Sequence, residues 1–159
     1  MRLSYILATC FFIFNCNPKT SIDVINIGEK LPKNAKVTKD TILIMYEPNS
    51  LKIGRNIVYN KINYLVYLNE SESIKAIYTY DPDFMTTENY KIGMQYSKIK
   101  LKHKEIIFPG YGCHIELSSG WGAVINDEGI IKNKTVSDTS TIKYFYKTDF
   151  GTWISKYGQ

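Results

Sequence analysis

Ile62-Asn63-Tyr64-Leu65-Val66-Tyr67-Leu68, Asn69-Glu70-Ser71-Glu72-Ser73 and Ile74-Lys75-Ala76-Ile77-Tyr78-Thr79-Tyr80 follow one another without a break, and their alternation points to a β-rich fold. In the first run Ile62, Tyr64, Val66 and Leu68 alternate with Asn63, Leu65 and Tyr67. In the third, Ile74, Ala76, Tyr78 and Tyr80 share one side. Successive side chains of a strand point to opposite faces, so a period of two in β-branched and aromatic residues predicts two strands. The polar stretch between them predicts the turn of a hairpin.

The same period extends outward. Ile42, Ile44 and Tyr46 share a face until Pro48-Asn49 ends the run, and 51–59 reads as another strand. Before it, 28–40 reads as a loop broken by Leu31-Pro32-Lys33-Asn34. Downstream, Asp81-Pro82-Asp83 is a turn, since an Asx side chain closes such turns on its own backbone. Tyr96, Ile99 and His103 then recur at helical spacing with Lys98, Lys100 and Lys102 outward, which predicts one short helix within 94–104. Strands are expected over 106–108, 112–117 and 121–126, a polar loop over 127–140, and closing strands over 142–147 and 151–154. The expectation is a single α+β domain over 24–159, a mostly antiparallel sheet with one short helix.

Parity also sets a register. A three-residue loop at Ser118-Ser119-Gly120 puts Leu117 opposite Trp121, Ile115 opposite Ala123 and Cys113 opposite Ile125, so one face is wholly apolar. His114 and Glu116 fall on the other. A two-residue loop would mix the faces, and a slip of one residue turns a buried set toward water. Gly120 suits the last loop position, which needs positive φ.

The N-terminus speaks of delivery. Met1-Arg2 precedes an uncharged apolar run from Leu3 to Phe14, shorter than the ~20 residues a membrane-spanning helix needs. That is the length of a signal-peptide core. The following Asn15-Cys16-Asn17-Pro18 resembles a lipobox, which implies a signal peptide over 1–15, a lipid on Cys16 and a polar tether over 16–23. Cys10 lies inside the apolar run. A conventional cleaved signal whose last residues include Cys16 is the alternative. Either way the expected location is the bacterial cell envelope, with the lipidated form held to a membrane, the outer one in a Gram-negative cell. With Cys16 acylated, Cys113 stands alone and no disulfide framework is expected.

The net charge of +5 does not point to nucleic acid. Arg2 and Arg55 are the two arginines, and the lysines are spread along the chain. Base and phosphate recognition favours clustered arginine with its bidentate fork. Catalytic groupings are thin as well. His103 with Glu105 and His114 with Glu116 are the histidine–carboxylate neighbours, and neither has a Ser or Cys nucleophile signalled beside it. Asp81 and Asp83 lack a third metal ligand at a recognisable spacing. The glycines at 110, 112, 120 and 122 punctuate a hairpin and are followed by no phosphate-loop lysine. No catalytic residue, metal or cofactor is therefore expected. Tyr90, Tyr111 and Trp121 either form an exposed aromatic contact patch for a partner or belong to the core.

One segment carries a resemblance. Thr86-Thr87-Glu88-Asn89-Tyr90-Lys91-Ile92-Gly93-Met94-Gln95-Tyr96-Ser97-Lys98-Ile99 and the later Gly110-Tyr111-Gly112-Cys113-His114-Ile115-Glu116-Leu117-Ser118-Ser119-Gly120-Trp121 resemble stretches of small exported domains. These are the BamE/SmpA-like outer-membrane lipoproteins and the β-lactamase-inhibitor-protein-like domains. Gln95 stands where those have a helix-capping Ser or Thr, and Asn89 where they have glycine. The resemblance implies a turn into a short helix packed on an antiparallel sheet, used as a binding scaffold. The resulting expectation is a membrane-anchored, non-enzymatic module that binds another exported protein. A toxin-immunity or enzyme-inhibitor protein is the alternative, and a small cell-wall hydrolase or glycan binder a more distant one.

Overall fold

The computed structural model describes residues 25–99, 102–126, 130 and 134–158. The expected signal peptide (1–15), Cys16 and the tether to residue 23 lie outside the described residues. Among the described residues, eight strands form one antiparallel sheet: β1 (Lys36–Glu47), β2 (Ser50–Tyr59), β3 (Ile62–Leu68), β4 (Ile74–Thr79), β5 (Lys104–Phe108), β6 (Gly112–Glu116), β7 (Gly122–Ile125) and β8 (Tyr144–Thr148). Their spatial order is β1-β2-β3-β4-β8-β7-β6-β5. Two meanders thus lie side by side, and β8 joins them by pairing with both β4 and β7. The expected mostly antiparallel α+β domain is what the chain forms.

Both faces of the sheet are covered. On the first, Ile57, Tyr64, Val66, Ile77, Cys113, Ile115, Ala123, Ile125 and Phe145 pack under Phe84, Tyr90, Tyr96, Ile99 and Trp121. On the second, Ala76, Tyr78, Val124 and Tyr146 pack with Ile44 and Trp153. Ile44 reaches them because the β1–β2 hairpin folds back over this face. Trp153 Nε1 donates to the Tyr46 carbonyl (3.3 Å), Tyr78 OH donates to the Met45 carbonyl, and the Asn49 amide donates to Tyr111 OH (3.2 Å). Gly54 permits the bend: a Cβ there would lie 2.2 Å from Ile44 Cδ1 and 2.4 Å from the Val66 carbonyl.

The β6–β7 register follows side-chain parity. Cys113 pairs with Ile125 and Ile115 with Ala123. The Leu117 amide donates to the Trp121 carbonyl, the Gly120 amide donates to the Leu117 carbonyl, and Gly120 takes φ +78°. The second face, on which His114 falls, is not open to water at this residue. His114 is 1% exposed, because the C-terminal segment packs over it.

Three expectations about elements are corrected. Among the described residues of the expected helix within 94–104, one 3-10 turn forms, Tyr96–Lys98, and Lys104 already belongs to β5. Gln95 supplies no side-chain cap, so the turn lacks the acceptor that stabilises a helix start. A stretch this short is held by Tyr96 and Ile99, both buried, rather than by its own propensity. The segment read as a closing strand over 151–154 is instead the start of an α-helix, Trp153–Tyr157. Thr152 accepts from the Ser155 amide while the Ser155 side chain accepts from the Thr152 amide. That reciprocal pair is a capping box. Finally, β1 begins at Lys36, inside the stretch read as loop. Its charged first half has both faces in water, so no apolar alternation marked it.

Cys113 tests the register directly. It is fully buried, and desolvation, followed by the charge of Glu105, pushes its thiol up to about 12. Peptide mapping after exposure to a water-soluble maleimide should find Cys113 unmodified in native protein and modified in urea. Cys113→Ser should destabilise by roughly 1–3 kcal/mol, because a hydroxyl would be desolvated without a partner. Rapid native labelling of Cys113 would overturn the register.

Candidate functional site

The polar groups singled out from sequence serve the fold. Asp81 Oδ2 accepts from the Asn63 amide (2.9 Å) and Asn63 Nδ2 (2.8 Å), while its Oδ1 accepts from the Asp83 amide (2.9 Å). The last contact is the Asx turn expected at Asp81-Pro82-Asp83. Burial works to raise the Asp81 pKa, yet these bonds to the carboxylate leave it below the usual range. Glu88 reaches from the 84–99 covering segment to the β6–β7 loop, accepting from Ser119 N–H (2.6 Å) and Ser118 Oγ (3.0 Å). Burial again opposes, but the donors bring its pKa down to about 2.

The histidine–carboxylate neighbours do not act as pairs. Tyr96 OH donates to Glu105 Oε1 (2.6 Å), and Tyr90 OH lies 3.0 Å from His103 Nε2. Glu116 accepts from Thr152 Oγ1 (3.0 Å) and Ser155 Oγ, holding the cap of the last helix. His114 instead stacks on Trp153 with centroids 4.7 Å apart and planes 15° apart. Its Nδ1 lies 3.0 Å from Tyr146 OH, which accepts the Trp153 amide at 2.9 Å. Tyr146 OH thus bridges the imidazole and the Trp153 amide, and His114 Nε2 is buried with no hydrogen-bond partner among the described residues.

The three aromatic residues nominated as a contact patch are separated. Tyr90 and Trp121 are 8% and 5% exposed and belong to the first-face core, where Trp121 lies 4.9 Å from Phe84. Tyr111 sits on the second face against Trp153, 5.4 Å between centroids, and its hydroxyl donates to Asn49 Oδ1 (2.6 Å). Of the two alternatives read from the sequence, Tyr90 and Trp121 fall in the core, whereas Tyr111 is half-buried against Trp153. Cys16 lies outside the described residues. Among the described residues, no three His, Cys, Asp or Glu side chains are placed to hold a metal ion.

Two surfaces that parity alone did not single out remain open. One is the outer side of the β1–β2 hairpin, where Leu43, Leu51 and Ile53 are 65%, 57% and 63% exposed. Leu43 pairs with Ile53, and Leu51 follows on the same face. The other is a cleft of about 310 Å³ at the far end of β2–β4, lined by Asn56, Asn63, Tyr64, Leu65, Tyr80, Asp81 and Pro82. Tyr80 is 54% exposed there and lies 4.9 Å from Tyr144, with planes 35° apart. The signals were present in the sequence, as an uncharged Ile-Leu-Ile-Met run and a tyrosine before Asp-Pro. Whether either residue set is buried depends on how the sheet coils.

Compared with protein-family models, curated proteins and solved structures, the chain matches none.

The buried imidazole gives a pH signature. Desolvation lowers the His114 pKa to about 4, against the opposing effect of the Tyr111 backbone. A depressed folded pKa means that the unfolded chain takes up the proton first as pH falls. The stability is thus complete above about 6.5 and is lost progressively toward 4. Urea unfolding should give a loss of roughly 2 kcal/mol between pH 7 and 5 from this residue. His114→Gln should flatten that part of the profile, and an unchanged slope would contradict the assignment.

Proposed function

We propose that this protein is a lipoprotein of the bacterial cell envelope, anchored through Cys16, whose domain binds another exported protein without catalysing a reaction. The observation that carries the binding reading is the apolar face of the β1–β2 hairpin. Single exposed aliphatic residues are ordinary on protein surfaces, but a contiguous cross-strand group is a mark of an interaction site. Leu43, Leu51 and Ile53 form such a group, and the fold itself makes no use of them: the buried residue of this segment is Ile44, on the opposite face. Full burial of a side chain of this size is worth roughly 1.5–3 kcal/mol, which a partner would collect. The non-catalytic reading is supported by the uses found for His114, Glu116, Asp81 and Cys113. Each is engaged in packing, a cap or a turn.

Two measurements test this proposal. Labelled palmitate should enter the protein in cells, be lost in Cys16→Ala and persist in Cys10→Ala. Equal labelling of both variants would remove the anchor assignment. A photo-crosslinker placed at Leu43 or Ile53 should give a discrete product with one envelope protein, absent when it is placed at Lys61 in the β2–β3 turn. The triple serine variant at positions 43, 51 and 53 should abolish that product while changing stability by less than about 1 kcal/mol. No discrete product at either position would overturn the hairpin as the binding surface.

A further inference from the structure

The cleft at the other end of β2–β4 is built differently from the hairpin face and suits a different ligand. Its floor comes from the second face of the sheet, where Asn56 stands opposite Leu65 and Asn63 follows two residues before Leu65. Tyr80, Asp81 and Pro82 form its wall as β4 ends. The Asp81–Asn63 hydrogen bonds lock wall to floor, and Thr79 Oγ1 adds a further bond to the Asn63 carbonyl (2.8 Å). Asn63 and Asp81 are therefore held in place relative to one another.

Its chemistry is mixed in a particular way. Tyr80 presents a ring more than half exposed, supported by Tyr144, which itself lies 6.3 Å from Tyr78. A flat aromatic face supported from the side offers an apolar platform with negative charge density at its centre. Beside it stand two carboxamides, each able both to donate and to accept. Asn56 Oδ1 is buried and receives no hydrogen bond from the chain. Among the described lining residues the one charge is that of Asp81, already held by three donors, and no cation is present. An anionic ligand would find no counter-charge here, and a purely apolar one would strand the carboxamides. A ligand with one C–H face and a rim of hydroxyls satisfies both. The volume, about 310 Å³, falls at the small end of the ~300–1,000 Å³ range of small-molecule sites.

We propose that this cleft binds a neutral saccharide, one pyranose ring lying on Tyr80 with its hydroxyls toward the Asn56 and Asn63 carboxamides. The site is separate from the hairpin face, so the two assignments stand or fall independently. The test uses the full chain in a detergent without a sugar headgroup, titrated with the N-acetylglucosamine trimer, cellotriose and, as a charged comparison, the galacturonate trimer. At least one neutral trimer should give saturable shifts in the side-chain amide resonances of Asn56 and Asn63. Tyr80→Ala should weaken that binding by roughly tenfold or more, and Tyr80→Phe by less than about threefold, since the platform is the ring. Tyr157→Ala, at an exposed ring elsewhere, should leave it unchanged. The proposal is overturned if neither neutral trimer saturates at millimolar concentration, if Tyr80→Ala binds as the natural chain does, or if the galacturonate trimer alone binds.

Discussion

Tyr146 is the side chain on which the two halves of the sheet meet. It lies in β8, the strand that joins the meanders, and it is paired with Tyr78 on one side and Gly122 on the other. Its ring occupies the space that a side chain at 122 would need: a Cβ there would stand 2.2 Å from the Tyr146 ring. On its other flank the ring stacks with Tyr78, 5.9 Å between centroids and 19° between planes. Its hydroxyl then accepts the Trp153 amide, one of the orphan donors at a helix start, and hydrogen-bonds His114 Nδ1. One residue therefore connects β4, β8, β7, β6 and the C-terminal helix. Burial holds its phenol well above the ordinary tyrosine range, with Trp153 opposing, so it remains a neutral donor and acceptor.

This arrangement explains why the second face is dry. An antiparallel sheet is often covered on one face and wet on the other. Here Trp153 lies on His114, and the β1–β2 hairpin arches over so that Ile44 packs on Ala76 and Tyr78. Tyr46 and Lys75 both donate to Asp149, and Lys156 pairs with Glu47, so the hairpin is tied at its rim to the chain's last turn. The closure engages His114 in packing and Glu116 in the cap of the last helix. It leaves outward the side of the hairpin that carries Leu43, Leu51 and Ile53.

The local parts of this fold were legible in the chain, and the distant ones were not. Parity around residues 113–125 was enough for the β6–β7 register, because a slip would have exposed an entire apolar set. The Asx turn at Asp81 was readable from three residues. The insertion of β8 between β4 and β7 was not, since nothing in a strand's own alternation names its neighbours. The 94–104 spacing suggested a helix because Tyr96 and Ile99 do share a buried side, yet a single 3-10 turn meets that need. Asn89 takes φ +67°, a conformation that asparagine tolerates better than most residues. Thr152 and Ser155 had the spacing of a cap, hidden behind aromatic residues that read as strand. Of the set 74, 76, 78 and 80 read as one side, Ala76 and Tyr78 share the second face and Tyr80 packs beside Tyr144. Ile74 instead falls in the first-face core, beyond the register shift at Tyr67–Leu68. The exposure of Tyr80 follows from where β4 ends.

The most direct test of the account is Tyr146→Phe, compared with Tyr144→Phe by urea unfolding at neutral pH. Removing the Tyr146 hydroxyl keeps the ring over Gly122 while leaving the Trp153 amide and His114 Nδ1 buried without a partner. Tyr146→Phe should lose about 2–4 kcal/mol, from two stranded groups, with a much smaller change at Tyr144. A cost below about 0.5 kcal/mol at Tyr146 would show that the C-terminal helix and the sheet are held together by something else.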